Sequence, residues 1–184
     1  DDEERLDKIL RDIEENARRN IERNRTLLER SRENVKRNID ENRRKLEEIR
    51  RDVEDLKRKV KDEDLLREIE DVLRKIEEVV KRSIDKIRKM LEDDERLVEE
   101  SIRRIREVLK RIRDLVEDVK RRLRDKELVK RAEDELRRLL KELNEISERM
   151  LRRSEETVRR LNEVSERALR ELDRLRKKIE RRTR

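Results

Sequence analysis

The chain has no glycine, proline, cysteine, histidine, tryptophan, tyrosine or phenylalanine anywhere in its 184 residues, and no glutamine either. Each absence excludes something. Without histidine or cysteine, the usual nucleophile–base pairs and zinc ligand sets are unavailable, and so is the inward-facing Glu-x-x-His of di-metal carboxylate bundles. Without glycine there is no loop of the kind that cradles phosphate. Without aromatics nothing stacks on a nucleic-acid base. No cysteine means no disulfide framework and no information on redox compartment. Apolar runs never exceed two residues, so no segment reads as membrane-spanning, and the acidic opening Asp1-Asp2-Glu3-Glu4 does not read as a signal peptide. These absences predict a protein that is not an enzyme and takes no cofactor or metal. Adjacent acids such as Asp93 and Asp94 point about 100° apart on a helix and cannot share a substrate.

What remains is almost entirely Arg, Lys, Glu, Asp, Leu, Ile and Val, with some Asn and Ser; 30% of residues are hydrophobic and 60% charged. That alphabet favours long helices or a coiled coil. So little apolar content would allow disorder, but the apolar residues are gathered on one stripe. The net charge of +7 comes from 59 basic and 52 acidic residues interspersed along the chain. It reads as a solvated surface laced with pairs such as Glu47–Arg51 and Glu54–Arg58, not as a nucleic-acid-binding face.

The stripe repeats at a fixed interval. Asn16, Asn20 and Asn24 return as Asn34, Asn38 and Asn42; Asn144 and Ser147 return as Asn162 and Ser165; Ser83-Ile84 returns as Ser101-Ile102. The interval is eighteen in every case, which makes five turns of an unstrained helix at about 3.6 per turn. A heptad repeat coils helices to the left and an eleven-residue repeat to the right. The period therefore predicts untwisted helices.

Following the stripe at about 100° per residue locates the helix ends. It holds one phase from Leu6 to Val60, jumps to the far side at Leu65, Leu66 and Ile69, holds there through Ile76 to Val119, and jumps again between Leu123 and Leu128. Three antiparallel helices of roughly 60 residues follow, at about 2–61, 63–124 and 126–182, forming one all-α domain over 1–184 with each helix roughly 90 Å long. Charge agrees. Lys57, Arg58, Lys59 and Lys61 close the first helix and Lys120, Arg121, Arg122 and Arg124 the second, while Glu63 and Asp64 open the second. Asp62 and Asp125 are the natural N-caps. Asp94-x-x-Leu-Val resembles the same start signal, but Leu73, Leu91 and Leu109 keep one phase across it, which favours an unbroken second helix.

A three-helix bundle wants apolar residues on its inward stripes. Here Asn20, Asn24, Ser31, Asn38 and Asn42 lie on the first stripe, Ser83, Asp94 and Ser101 on the second, and Ser147, Ser154, Thr157 and Ser165 on the third; Asn16, Asn34, Asn144 and Asn162 flank them. Residues of the first two helices are level where their numbers sum to about 125, and those of the last two where they sum to about 250. Asn24 then meets Ser101 and Ser147; Ser31 meets Asp94, Ser154 and Thr157; Asn42 meets Ser83 and Ser165. Three polar layers separated by apolar ones result. A buried amide left unpaired is costly, whereas a connected network is roughly neutral, so such layers fix register.

On this repeat, restricted alphabet and layered Asn/Ser/Thr pattern, the whole chain resembles the computationally designed straight-helix bundles with buried hydrogen-bond networks. The resemblance implies a very stable structural scaffold, soluble when made recombinantly, with no natural biochemical function or location. It implies no required partner, nucleic acid or membrane. Designed loops usually contain Gly or Pro, and this chain departs from that pattern. Spectrin-like repeats are the natural counterpart, but their aromatic core markers are missing. The second stripe, about 140° wide, suits contact with two neighbours inside one monomer. A self-assembling module in which the polar layers set partner specificity is the alternative.

Overall fold

A computed structural model describes residues 1–184 as three helices: α1 (Asp2–Lys59), α2 (Glu63–Lys120) and α3 (Lys126–Arg182). They form a three-helix bundle, and α2 runs through Asp94 without a break. The similarity of the 94 segment to a start signal is therefore local; the continuous apolar phase on both sides overrides it.

The caps follow from the acids. Asp62 Oδ1 accepts the backbone N–H of Asp64 at 3.0 Å, and Asp125 Oδ1 accepts that of Leu128 at 3.1 Å. Asp1 does the same for Glu4 at 2.8 Å, opening α1. Each contributes about 1 kcal/mol by satisfying an N–H with no helical partner. Acids in the first turns of all three helices, and bases in the last, match the helix dipole.

The helix ends depart from the sequence expectation at two places. α1 stops at Lys59 instead of 61, and α2 at Lys120 instead of 124. Residues 121–124 form a turn tightened by short-range bonds: Arg122 N to Val119 O at 2.9 Å and Asp125 N to Arg122 O at 3.0 Å. Chain reversal needs such a tightening, because a helix extended to 124 would leave only Asp125 to turn before α3 begins at Lys126. No residue in the chain has positive φ. The turns therefore need neither Gly nor Pro, which accounts for the missing loop residues.

The chain divides into two compact units, 1–30 with 94–155 (unit 1) and 31–93 with 156–184 (unit 2). Each contains a segment of every helix and one of the two connections. Unit 1 packs a core that includes Leu6, Ile13, Ala17, Ile105, Ile112, Leu136 and Leu143. Unit 2 packs one that includes Val35, Ile49, Ile69, Ile76, Ile87, Leu161 and Leu172. No large hydrophobic side chain is exposed, and no helix is long and apolar enough to cross a membrane.

Candidate functional site

The chemistry in the interior is carried by amide and hydroxyl groups and one carboxylate, that of Asp94. In unit 1, Asn16 and Asn20 stand one turn apart on α1, and both donate from Nδ2 to Asn144 Oδ1 on α3, at 3.0 and 2.9 Å. Asn20 also reaches Asn16 Oδ1 at 3.4 Å. In unit 2, Asn34 and Asn38 donate to Asn162 Oδ1, each at 3.0 Å. Both lone pairs of each α3 acceptor are used. The bonded residues are 128 and 124 apart in both units, so the acceptor sits between two turns of a parallel neighbour.

Charged side chains keep the same register. Arg176 binds Glu48 at 3.1 Å, 128 residues away, and also Asp52, 124 away. Lys126 meets Asp2 at 2.6 Å, again 124 away, and Arg5 meets Glu133, 128 away. Arg176 thus sits between Glu48 and Asp52 as Asn162 sits between Asn34 and Asn38, while Lys126 and Arg5 each make one of the two contacts. The hydrogen bond from Lys126 holds the Asp2 carboxyl below the usual carboxylate range, against the opposing effect of desolvation.

Deeper inside, Asn24 donates from Nδ2 to Ser101 Oγ at 3.4 Å in unit 1. Asn42 in unit 2 donates to Ser165 Oγ at 2.9 Å and to its own helix at Asn38 O, 2.8 Å. Ser154 donates to Asp94 Oδ2 at 3.3 Å, and Asp94 is 1% exposed.

Asn20, Asn24, Ser31, Asn38, Asn42, Ser83, Asp94, Ser101, Ser147, Ser154 and Ser165 are all buried, whereas Asn144, Thr157 and Asn162 are half-buried. Burial does not guarantee pairing. The hydroxyls of Ser31, Ser83 and Ser147 have no hydrogen-bond partner, nor do Oδ1 of Asn24 and Asn42. The hydrogen bonds expected of Ser31, Ser83 and Ser147 are thus not formed; Asn42 turns to Ser165 on α3 and not to Ser83 on α2. The reason is reach. Packed helix axes lie about 8–10 Å apart, and a serine side chain spans that gap only toward a longer Asn or Asp. Every bond described between helices within the buried layers contains one.

By helix phase Asn16 and Asn34 stand at the flank of the stripe, yet each donates to the α3 acceptor. Their i, i+4 spacing from Asn20 and Asn38, present in both copies of the repeat, is the signal that marks them. The protein holds no group of three or more His, Cys, Asp or Glu placed to bind a metal ion. No protein-family model matches the chain, and no curated protein or solved structure gives a significant match.

Proposed function

We propose that this chain is a designed structural scaffold, whose task is to hold three long helices in one register through buried hydrogen-bond networks. The observation that carries this reading is the duplicated asparagine network. Asn16, Asn20 and Asn144 recur one repeat later as Asn34, Asn38 and Asn162, with the same donors, the same acceptor and the same offsets. An amide pair one turn apart that closes on one acceptor penalises any slip of α3 along α1. A shift of one turn strands at least one amide at about 1–3 kcal/mol. An apolar layer would tolerate the same shift much better. Natural biochemical activity has no part in this reading: the protein is not an enzyme and needs no cofactor, nucleic acid or partner.

The lack of exposed large apolar side chains supports a monomer over a self-assembling module. Light scattering should then give a mass near 23.0 kDa at all concentrations tested. The register role is tested by replacing all six network asparagines with leucine. The variant should remain helical but populate more than one register or oligomer, seen as several masses by light scattering or additional backbone amide signals by NMR. A single species with unchanged helix pairing, mapped by lysine cross-linking, would overturn the reading.

A further inference from the structure

The bonds inside the two Asn–Ser–Ser layers leave the same pair of groups behind. In unit 1 the Asn24 amide nitrogen donates to Ser101 Oγ at 3.4 Å, and Oδ1 of the same carboxamide accepts nothing. In unit 2 Asn42 donates to Ser165 Oγ at 2.9 Å, and its Oδ1 likewise accepts nothing. Each serine oxygen is spent as an acceptor, and its proton goes to no other group of the protein, whereas the Thr183 hydroxyl bonds back to Ile179 O. Asn24 and Asn42 are 0% exposed, and Ser101 and Ser165 only 6% and 2%, so solvent at the surface does not satisfy these groups.

One buried donor and one buried acceptor therefore remain on each bonded Asn–Ser pair, and leaving both unanswered is costly. Whatever answers them must accept one hydrogen bond, donate another and be small. A cation has no use for the serine proton, and an anion has none for the amide oxygen. Water does both, and an internal water takes two to four polar partners. Because each pair is already joined by one hydrogen bond, a single molecule at about 2.8 Å from both atoms can span them. The orientation of the amides does not alter this. Asn42 is fixed by its second bond to Asn38 O at 2.8 Å, which a flipped amide could not make. Asn24, turned over, would accept from Ser101 and leave an N–H and a serine lone pair, again one donor and one acceptor. Ser101 also lines the surface groove between α2 and α3, which gives water a way in to unit 1.

We propose that each bonded Asn–Ser pair is a binding site for one internal water, Asn24–Ser101 in unit 1 and Asn42–Ser165 in unit 2. The water accepts a hydrogen bond from the serine hydroxyl and donates one to Asn Oδ1, closing the sequence from amide N–H through serine and water to amide oxygen. Two partners suffice, so the third serine of each layer, Ser147 or Ser83, is not required. The sites use none of the six asparagines that carry the register role, and their failure would leave that role untouched.

A high-resolution crystal structure of the full chain locates such waters, and oxygen-17 magnetic relaxation dispersion counts the long-lived ones in solution. Density is expected within about 3.2 Å of both Asn24 Oδ1 and Ser101 Oγ, and of both Asn42 Oδ1 and Ser165 Oγ. Asn24→Leu and Asn42→Leu should each remove one long-lived water, and the double variant two. Ser147→Ala and Ser83→Ala leave both pairs intact and should remove none. Circular dichroism checks that each variant stays helical; should a leucine variant unfold, the density in the unaltered chain decides alone. Absence of density at both pairs, an unchanged number of long-lived waters in the helical double variant, or a water lost on Ser147→Ala or Ser83→Ala would each overturn the proposal.

Discussion

The two units share an asparagine network and an Asn–Ser–Ser layer, and use the second differently. Their asparagine networks on α1 and α3 are alike, each with two donors and one doubly used acceptor. Their Asn–Ser–Ser layers are mirror choices. In unit 1 the Asn24 amide takes the α2 serine, Ser101, and leaves Ser147 on α3 without a partner. In unit 2 the equivalent Asn42 takes the α3 serine, Ser165, and leaves Ser83 on α2 without one. Residue identity is the same at every position of the two layers, so identity does not set the choice. One donor geometry, able to reach either of two acceptors at the same level, resolves differently in different surroundings. In each layer the one long side chain bonds only one of the two short ones.

The largest effect should come from removing an α3 acceptor. Asn144→Leu strands the amides of Asn16 and Asn20 and should cost about 2–4 kcal/mol in guanidinium unfolding followed by circular dichroism. Asn162→Leu should cost the same within error, since its network is the copy one repeat later. The triple replacement of Asn16, Asn20 and Asn144 by leucine should cost less than Asn144→Leu alone, because no amide is then left behind. If Asn144→Leu and Asn162→Leu differ by more than about 1 kcal/mol, equivalence of the two networks fails.

Next comes the serine crossover, which sharpens the contrast between units. Ser101→Ala and Ser165→Ala each remove the acceptor of a buried amide and should cost about 1–2 kcal/mol. Ser147→Ala and Ser83→Ala remove hydroxyls that have no partner, and should be neutral or slightly stabilising. Four equal losses would mean that each amide exchanges between its two serines, and that the opposite choices are not fixed.

A smaller coupling is expected at Asp94. A double-mutant cycle with Asp94→Leu and Ser154→Ala should give a coupling of about 1 kcal/mol, because the two share one hydrogen bond. Additivity within about 0.3 kcal/mol would remove that bond from the account.

Much of this fold was legible in the sequence because helix phase is a strong, long-range signal. Leu65 and Leu66 leave the stripe of the first helix, and Leu128 leaves that of the second; both jumps mark real connections. Asp62 and Asp125 cap as their position suggests, since a short acid before an apolar stripe has few other uses. The turn at 121–124 was not legible: Arg121, Arg122 and Arg124 are good helix formers, and only the need to reverse direction stops α2 at Lys120. Asn24 and Ser101 could be paired from level alone. The contrary choice of Asn42 could not, because Ser83 and Ser165 are level with it alike and differ only in packing detail. Asn16 and Asn34 lie outside the apolar sector that phase defines, and phase takes no account of amide side chains that reach in from its edge.

The smallest expected effect separates the units at alkaline pH. In unit 1 the Lys120 ammonium donates to the Asp7 carboxylate, and that hydrogen bond raises its pKa above the ordinary lysine value of 10.5, against the opposing effect of desolvation. A group whose folded pKa is raised contributes stability that is fully present below its unfolded value and is lost as pH rises through the folded one. The contact should therefore weaken only above about pH 10.5. In unit 2 the raised groups are Arg174 and Arg176, which stay charged throughout that range. Carbon NMR of the Lys120 ε position should show it titrating above the ordinary lysine value of 10.5, and Asp7→Asn should lower its midpoint. A Lys120 midpoint at or below 10.5 would remove the bond to Asp7 from unit 1, and with it this difference between the units.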